Sequence, residues 1–236
     1  MLAALKPAVG IVIPALNAAA TLPATLAALE EGRGVFDLDV VVADGGSADA
    51  TVAVARDTGA RMIDAPRGRG TQLAAGADAA AGDWLMFLHA DTVFEPGWAE
   101  VLAGFMARSD AKDEAAYFLF ALDDHYPGAR RIERWVARRC RWFALPYGDQ
   151  GLVLSRALYA RVGGFRPIPL MEDVDLVRRI ARTEGRGALV GLDAAARTSA
   201  ARYRRGGYWR RPLRNLFCLG LYFLGVPPRV IERIYR

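Results

Sequence analysis

Within its first ninety residues the chain carries four short apolar runs separated by segments of helical spacing, and this alternation limits the fold more than any other feature. Val9, Ile11, Val12 and Ile13 make a β-branched run over 9–13. Leu22, Leu26 and Leu29 follow at helical spacing, with Thr21 as N-cap and Pro23 in the first turn. A second run, 39–43, precedes a helix that Ser47 or Asp49 caps and Gly59 ends. A third, 61–63, leads into a helix over 71–81 closed by Gly82, and 84–88 is the fourth. Strands buried on both faces read as continuous apolar runs, as these do. Strand–helix–strand units with short connections predict an α/β fold: a doubly wound, mostly parallel sheet flanked by helices. Ligands of such sheets bind beyond the carboxyl ends of the strands, where this chain places Asn17, Asp44, His89 and Asp91.

Beyond residue 110 the pattern changes. A strand over 115–122 is followed by an arginine-rich amphipathic helix over 128–143, carrying Ile132, Trp135 and Val136. A short strand over 151–155 and a helix over 172–183 come next. The apolar stretch 213–226 contains Arg214 and Asn215 and is shorter than the roughly 20 residues of a membrane span. With no repeats or linkers, the chain reads as one domain over 1–236 with a helical C-terminal tail at 206–236.

Composition excludes some classes. Hydrophobic residues at 53% and charged residues at 24% give a globular profile rather than a disordered one. The net charge of +5 hides a split: residues 1–124 hold 8 basic and 18 acidic side chains, residues 125–236 hold 23 and 8. Such a split fits a phosphate-gripping half, a membrane-facing surface or self-complementation within one domain. No nucleic-acid motif accompanies the charge, so nucleic acid is not an expected partner. Cys140 and Cys218 lack metal-ligand spacing and read as free thiols in a reducing cytoplasm. The run 9–13 is too short for the apolar core of a secretory signal.

Four elements recur in order. Val12-Ile13-Pro14-Ala15-Leu16-Asn17 comes first, then Val42-Ala43-Asp44-Gly45-Gly46-Ser47-Ala48-Asp49. His89-Ala90-Asp91 follows, and then Gly163-Gly164-Phe165 with Glu172-Asp173. Together, over about 9–180, they resemble the family 2 glycosyltransferases of GT-A fold. The form Phe87-Leu88-His89-Ala90-Asp91-Thr92, with Arg67-Gly68-Arg69-Gly70 before it and Tyr147-Gly148-Asp149-Gln150 after it, is similar to a narrower bacterial group. That group is the radical-SAM/selenodomain-associated transferases, some of which are assigned to arsenosugar biosynthesis. The resemblance implies a nucleotide-binding half at 1–110 and an acceptor-binding half at 111–205. Loops at roughly 123–150 and 193–212 would select the acceptor.

Asp44 sits where the family's nucleotide-contacting aspartate lies, and a carboxylate there accepts the imide N–H of uracil; an Asx-turn within Asp-Gly-Gly-Ser is the plainer alternative. Pro14, Ala15 and Asn17 would wall the base and ribose, although Ala18 replaces the family's usual acidic residue. Arg69 and Gly70 open a helix, where backbone N–H groups and a guanidinium suit a diphosphate; a solvated basic loop competes. Asp91, with Ala90 beside it, would hold a divalent cation, Mn2+ or Mg2+, bridging the donor diphosphate. His89 replaces the family's first acidic residue, as a metal ligand or as a donor to phosphate. Asp173 would be the base that deprotonates the acceptor, and Glu172 an acceptor contact or orienter. First-turn compensation of the helix dipole explains the same pair without function. Asp149 and Gln150 would touch donor-sugar hydroxyls or support Asp173. Arg202, in a segment similar to the arginine–aromatic element of related processive enzymes, would reach the diphosphate.

The implied activity is inverting transfer of a sugar, from a UDP-sugar, to a small-molecule or lipid-linked acceptor. A non-catalytic nucleotide-sugar binder is the alternative, supported by the loss of an acidic residue at His89. A nucleotidyltransferase fits less well, because Pro14 to Asn17 offers no glycine-rich loop. The 130–141 segment and 213–226 suit peripheral contact with an anionic membrane, packing within the fold, or a homodimer interface.

Overall fold

The structure is a computed structural model and describes residues 6–235. Among the described residues, eight strands and ten α-helices follow one another around a single mixed sheet. The first half holds β1 (Ala8–Ala15), α1 (Leu22–Leu29), β2 (Asp37–Asp44), α2 (Thr51–Asp57), β3 (Arg61–Asp64), α3 (Arg69–Ala79) and β4 (Trp84–Phe87). Then come β5 (Thr92–Phe94), α4 (Trp98–Met106), β6 (Ala115–Leu122), α5 (Pro127–Phe143), β7 (Leu152–Ser155), α6 (Arg156–Arg161) and α7 (Glu172–Thr183). The chain closes with β8 (Leu189–Thr198), α8 (Ala201–Gly206), α9 (Arg210–Phe223) and α10 (Pro228–Tyr235).

The sheet order is β3-β2-β1-β4-β7-β6-β8-β5. β3, β2, β1 and β4 run parallel, as does β6 with β8. β7 is antiparallel to both its neighbours, and β5 to β8. The predicted doubly wound half is therefore present, and the parallel register brings Ala15 level with Asp44 and Asp44 level with Asp64. Each face of the sheet has its own core. Val12, Leu85 and Phe87 face α3, α5 and α7, while Ile11, Ile13 and Met86 face α1 and α4.

Several sequence-level details resolve differently. Thr21 occupies the N-cap of α1 without a side-chain cap bond; its hydroxyl turns back to the Ala18 carbonyl. Asp49 accepts from the Thr51 N–H at the start of α2, whereas Ser47 is engaged elsewhere. β5, α4, α6 and β8 had no clear signal. Leu189–Thr198 is rich in alanine with Gly191 and Asp193, and its strand state comes from pairing with β6 across a register shift at Phe118/Leu119. The supposed acceptor loop 193–212 is thus the end of β8, all of α8 and the start of α9.

Candidate functional site

Two loops leave the carboxyl ends of β1 and β2 and are clipped together. Asp44 is buried, and its Oδ2 accepts from the Gly46 and Ser47 N–H groups at 3.0 and 2.9 Å while Oδ1 takes the Ser47 hydroxyl at 2.5 Å. Ser47 Oγ in turn accepts from the Asn17 N–H, and Asn17 Oδ1 accepts from the Ala48 N–H, both at 2.8 Å. Asn17 holds φ at +51°, a conformation few non-glycine residues adopt. Beneath the loops Gln72, 4% exposed, donates to the Ala15 and Ala43 carbonyls at 2.7 and 2.8 Å. The Asx-turn given as the plainer reading of Asp44 is therefore formed, at the end of β2, with both carboxylate oxygens bonded within it. Pro14 is half-buried and Ala15 buried, and neither borders the cavity described next.

That cavity, about 120 Å3, lies beyond the end of β4. Arg69 reaches it from α3, His89 and Asp91 from the β4–β5 connection, Tyr147 and Asp149 from the segment after α5, and Asp173 from α7. Arg202 closes one side, and Arg211, Asn215 and Tyr235 bring the C-terminal tail over it. Residues widely separated in sequence thus meet at one sheet edge, where the fold class places ligands. Ala90 is buried between the two residues it separates and does not border the cavity.

The carboxylates differ in surroundings. Asp173 Oδ2 accepts from the Gly148 N–H at 2.8 Å, which fixes α7 against the 147–150 segment. Asp149 Oδ1 is buried with no hydrogen-bond partner in the structure. Burial, reinforced by the charges of Asp173 and Asp91 and opposed by Arg139 and Arg69, pushes the Asp149 carboxyl up to about 6. Glu172 is 1% exposed; Oε1 accepts from Arg69 at 3.2 Å and Oε2 has no partner. Burial is also the main cause raising its pKa, with Asp173 adding and Arg69 opposing. The His89 imidazole is held neutral, its pKa pushed well down by burial and then by Arg69 and Arg202. Its Nε2 is sealed against Gly148, where an added Cβ would stand 2.7 Å away. His89 and Glu172 both border a small internal void of about 10 Å3.

Three predicted site residues are occupied by the protein itself. Gln150 is 2% exposed. Its amide takes bonds from Arg139 and the Tyr147 N–H and gives one to the Phe118 carbonyl, so it holds the loop rather than facing a sugar. Gly70 has no room for a Cβ because the Arg166 and Ile168 carbonyls lie 2.3 and 2.8 Å from where it would sit; the close approach is to that backbone, not to open phosphate space. Glu172 points inward and orients Arg69 instead of meeting an acceptor. Conversely, Tyr147, Arg211, Asn215 and Tyr235 were not singled out for the cavity. Helical spacing in 206–236 indicates a packed tail but not which surface it covers.

Residues 10–168 match the sequence profile of glycosyl transferase family 2. The PGL/p-HBAD biosynthesis glycosyltransferases of Mycobacterium bovis and Mycobacterium tuberculosis are 35% identical over 171 residues, 67% of this chain. The chain spans 63% of the length of these curated relatives. The fold is similar to Mycobacterium tuberculosis glucosyl-3-phosphoglycerate synthase, with TM-score 0.66, 21% identity, and coverage of 94% of this chain and 82% of that one. Another structure of that synthase, with Mn2+, uridine diphosphate and glucosyl-3-phosphoglycerate bound, gives TM-score 0.63 at 20% identity, covering 94% and 81%. Mannosyl-3-phosphoglycerate synthase of Rubrobacter xylanophilus gives 0.64 at 18% identity, covering 93% and 75%. The mixed eight-stranded sheet with its helical C-terminus is therefore of GT-A type, and the chain belongs to glycosyl transferase family 2.

Proposed function

We propose that the chain transfers a sugar from a UDP-sugar donor to an acceptor hydroxyl with inversion, using a divalent cation. One observation carries the reading: Asp91, Asp149 and Asp173 meet around a single cavity whose wall also holds Arg69 and Arg202. Three carboxylates without a cation repel one another, while two guanidinium groups suit a diphosphate. The glycosyltransferase names of the curated relatives, and the Mn2+ and uridine diphosphate held by one structural neighbour, support the same chemistry.

Among the described residues no group of three His, Cys, Asp or Glu side chains is placed to hold a metal ion on its own. The carboxylate oxygens of Asp91 and Asp149, or the imidazole nitrogen of His89 beside Asp91, would hold Mn2+ or Mg2+ together with the donor diphosphate. Bound there, the cation would neutralise charge on the leaving diphosphate. Arg69, held by Glu172, and Arg202 add hydrogen bonds to the same charge. Asp44, Asn17, Pro14 and Ala15 form the edge for the nucleoside. Asp173, positioned by the Gly148 N–H, takes the proton from the acceptor hydroxyl as it attacks the anomeric carbon.

Thermal shift with UDP, with and without Mn2+, tests the donor site. The wild type should show a metal-dependent rise that Asp91→Asn loses; absence of any rise in the wild type sinks the UDP assignment. Asp173→Asn should keep that rise while donor turnover falls by about 10²–10⁴-fold. Undiminished turnover in Asp173→Asn would remove it as the base.

A further inference from the structure

Beside the polar cavity lies a larger groove of about 1040 Å3, between α5 and α9 and along the end of α7. Trp135, Val136 and Phe143 from α5 and Leu216, Leu219 and Phe223 from α9 line it. Trp135, Phe143, Leu216 and Phe223 remain exposed, so folding leaves this apolar lining open to water. The groove and the polar cavity share four wall residues: Tyr147, Asp149, Tyr203 and Asn215. Two of these carry buried acceptor atoms with no hydrogen-bond partner, Asp149 Oδ1 and Asn215 Oδ1. An orphaned buried acceptor is costly, and two at one junction mark where a ligand donor belongs.

We infer that this groove binds the acceptor substrate, and that the acceptor is an amphiphile: a hydroxyl group carried on a long alkyl or aryl chain. The chain lies between α5 and α9, and the hydroxyl reaches the junction, where its one hydrogen is donated to Asn215 Oδ1 beside Asp149 and Asp173. This rests on the glycosyltransferase reading above and names the class of molecule that receives the sugar.

The groove's connection to the polar cavity favours an acceptor over other occupants. A membrane surface would cover the exposed aromatic rim but would bring no donor down to the junction. A second copy placed by two-fold symmetry would set this face, with Arg138, Arg182 and Arg186 on its rim, against an identical positively charged face, and like charges oppose such a contact. The volume, at the upper end of small-molecule pockets, suits a long chain.

The test uses the intact protein and 4-alkylphenols from methyl to octyl, with binding followed by tryptophan fluorescence. Affinity should rise about two- to fourfold per added methylene, and 4-octylphenol should bind at least about fivefold more tightly than 4-octylanisole, whose oxygen cannot donate. Asn215→Leu should abolish that preference for the phenol. Gly220→Trp should weaken octylphenol about tenfold or more by filling the groove, since a Cβ at Gly220 meets nothing within 4 Å. Gly220→Trp should keep the wild-type Mn2+-dependent shift with UDP. An affinity independent of chain length overturns the proposal, as does equal binding of phenol and anisole. So does saturable binding only to phosphatidylglycerol vesicles, or Gly220→Trp converting a dimer to a monomer with octylphenol binding unchanged. Loss of the UDP shift in the wild type, with octylphenol still bound, would instead indict the donor assignment.

Discussion

Gly148 joins the two halves of the site: its N–H holds Asp173, and its Cα supports the His89 ring. A methyl group there would meet Nε2 at 2.7 Å, inside normal contact, so Gly148→Ala should fold but displace either the imidazole or the 147–150 segment. We expect kcat to fall about tenfold or more, with a stability loss of about 1–3 kcal/mol typical of overpacking; assay of donor turnover alongside thermal unfolding separates the two. Met171 at the start of α7 holds φ at +66° and Ala144 at the end of α5 holds +51°, so two elements bearing site residues are flanked by uncommon backbone conformations. The motif around Gly148 does not reveal its role, because that role depends on a histidine 59 positions earlier.

At the level of elements, α3 is bound closely to the sheet it covers. Gly76 faces Val12, where a Cβ would come within 2.2 Å of Cγ1, so Gly76→Ala should lower stability by about 1–3 kcal/mol in a denaturant melt without altering UDP affinity. Gln72, one turn earlier, ties the ends of β1 and β2 together through the Ala15 and Ala43 carbonyls. Gln72→Leu would leave the buried Ala43 carbonyl without that partner; a loss of about 1–3 kcal/mol is expected. UDP affinity should fall as well, because the loops carrying Asn17 and Asp44 spring from those strand ends. Binding equal to the wild type in Gln72→Leu would show that the loops hold themselves through their own Ser47–Asn17 bonds. Elements with continuous apolar runs or 3.6-residue periodicity were legible in advance; β5 and β8 were not, because their strand state comes from pairing partners distant in sequence.

At the scale of the whole molecule, the opposite charges of the two halves meet in the fold. Arg161 pairs with Asp113 at 2.6 Å, Arg204 with Asp124 at 2.9 Å, and Arg197 with Glu95. These exposed pairs contribute little each, and much of the arginine surplus remains on the surface around α5 and α9. Asp149, with one carboxylate oxygen sealed from water, makes stability depend on pH. Its pKa is raised from 3.8 to about 6, so its protonated form is the one the folded state prefers. Stability from this group is full below about pH 4 and declines as pH rises through about 6. Without metal, the thermal midpoint should be more favourable at pH 5 than at pH 7 relative to Asp149→Asn, in which this dependence should be flattened. A matching pH profile in the variant would mean that Asp149 is not the titrating group.

Local apolar runs and short ordered motifs are enough to place the parallel half of the sheet, the strand-end positions of Asp44 and Asp91, and the family. Tertiary structure alone decided which polar residues face the cavity. Gln150, Gly70 and Glu172 carry the right chemistry but spend it on their own neighbours, while Asn215, Arg211 and Tyr235 come from a tail whose spacing indicates a helix and nothing more. Local pattern fixes what an element is; the direction in which a side chain points, and what it finds there, depends on contacts made across the whole chain.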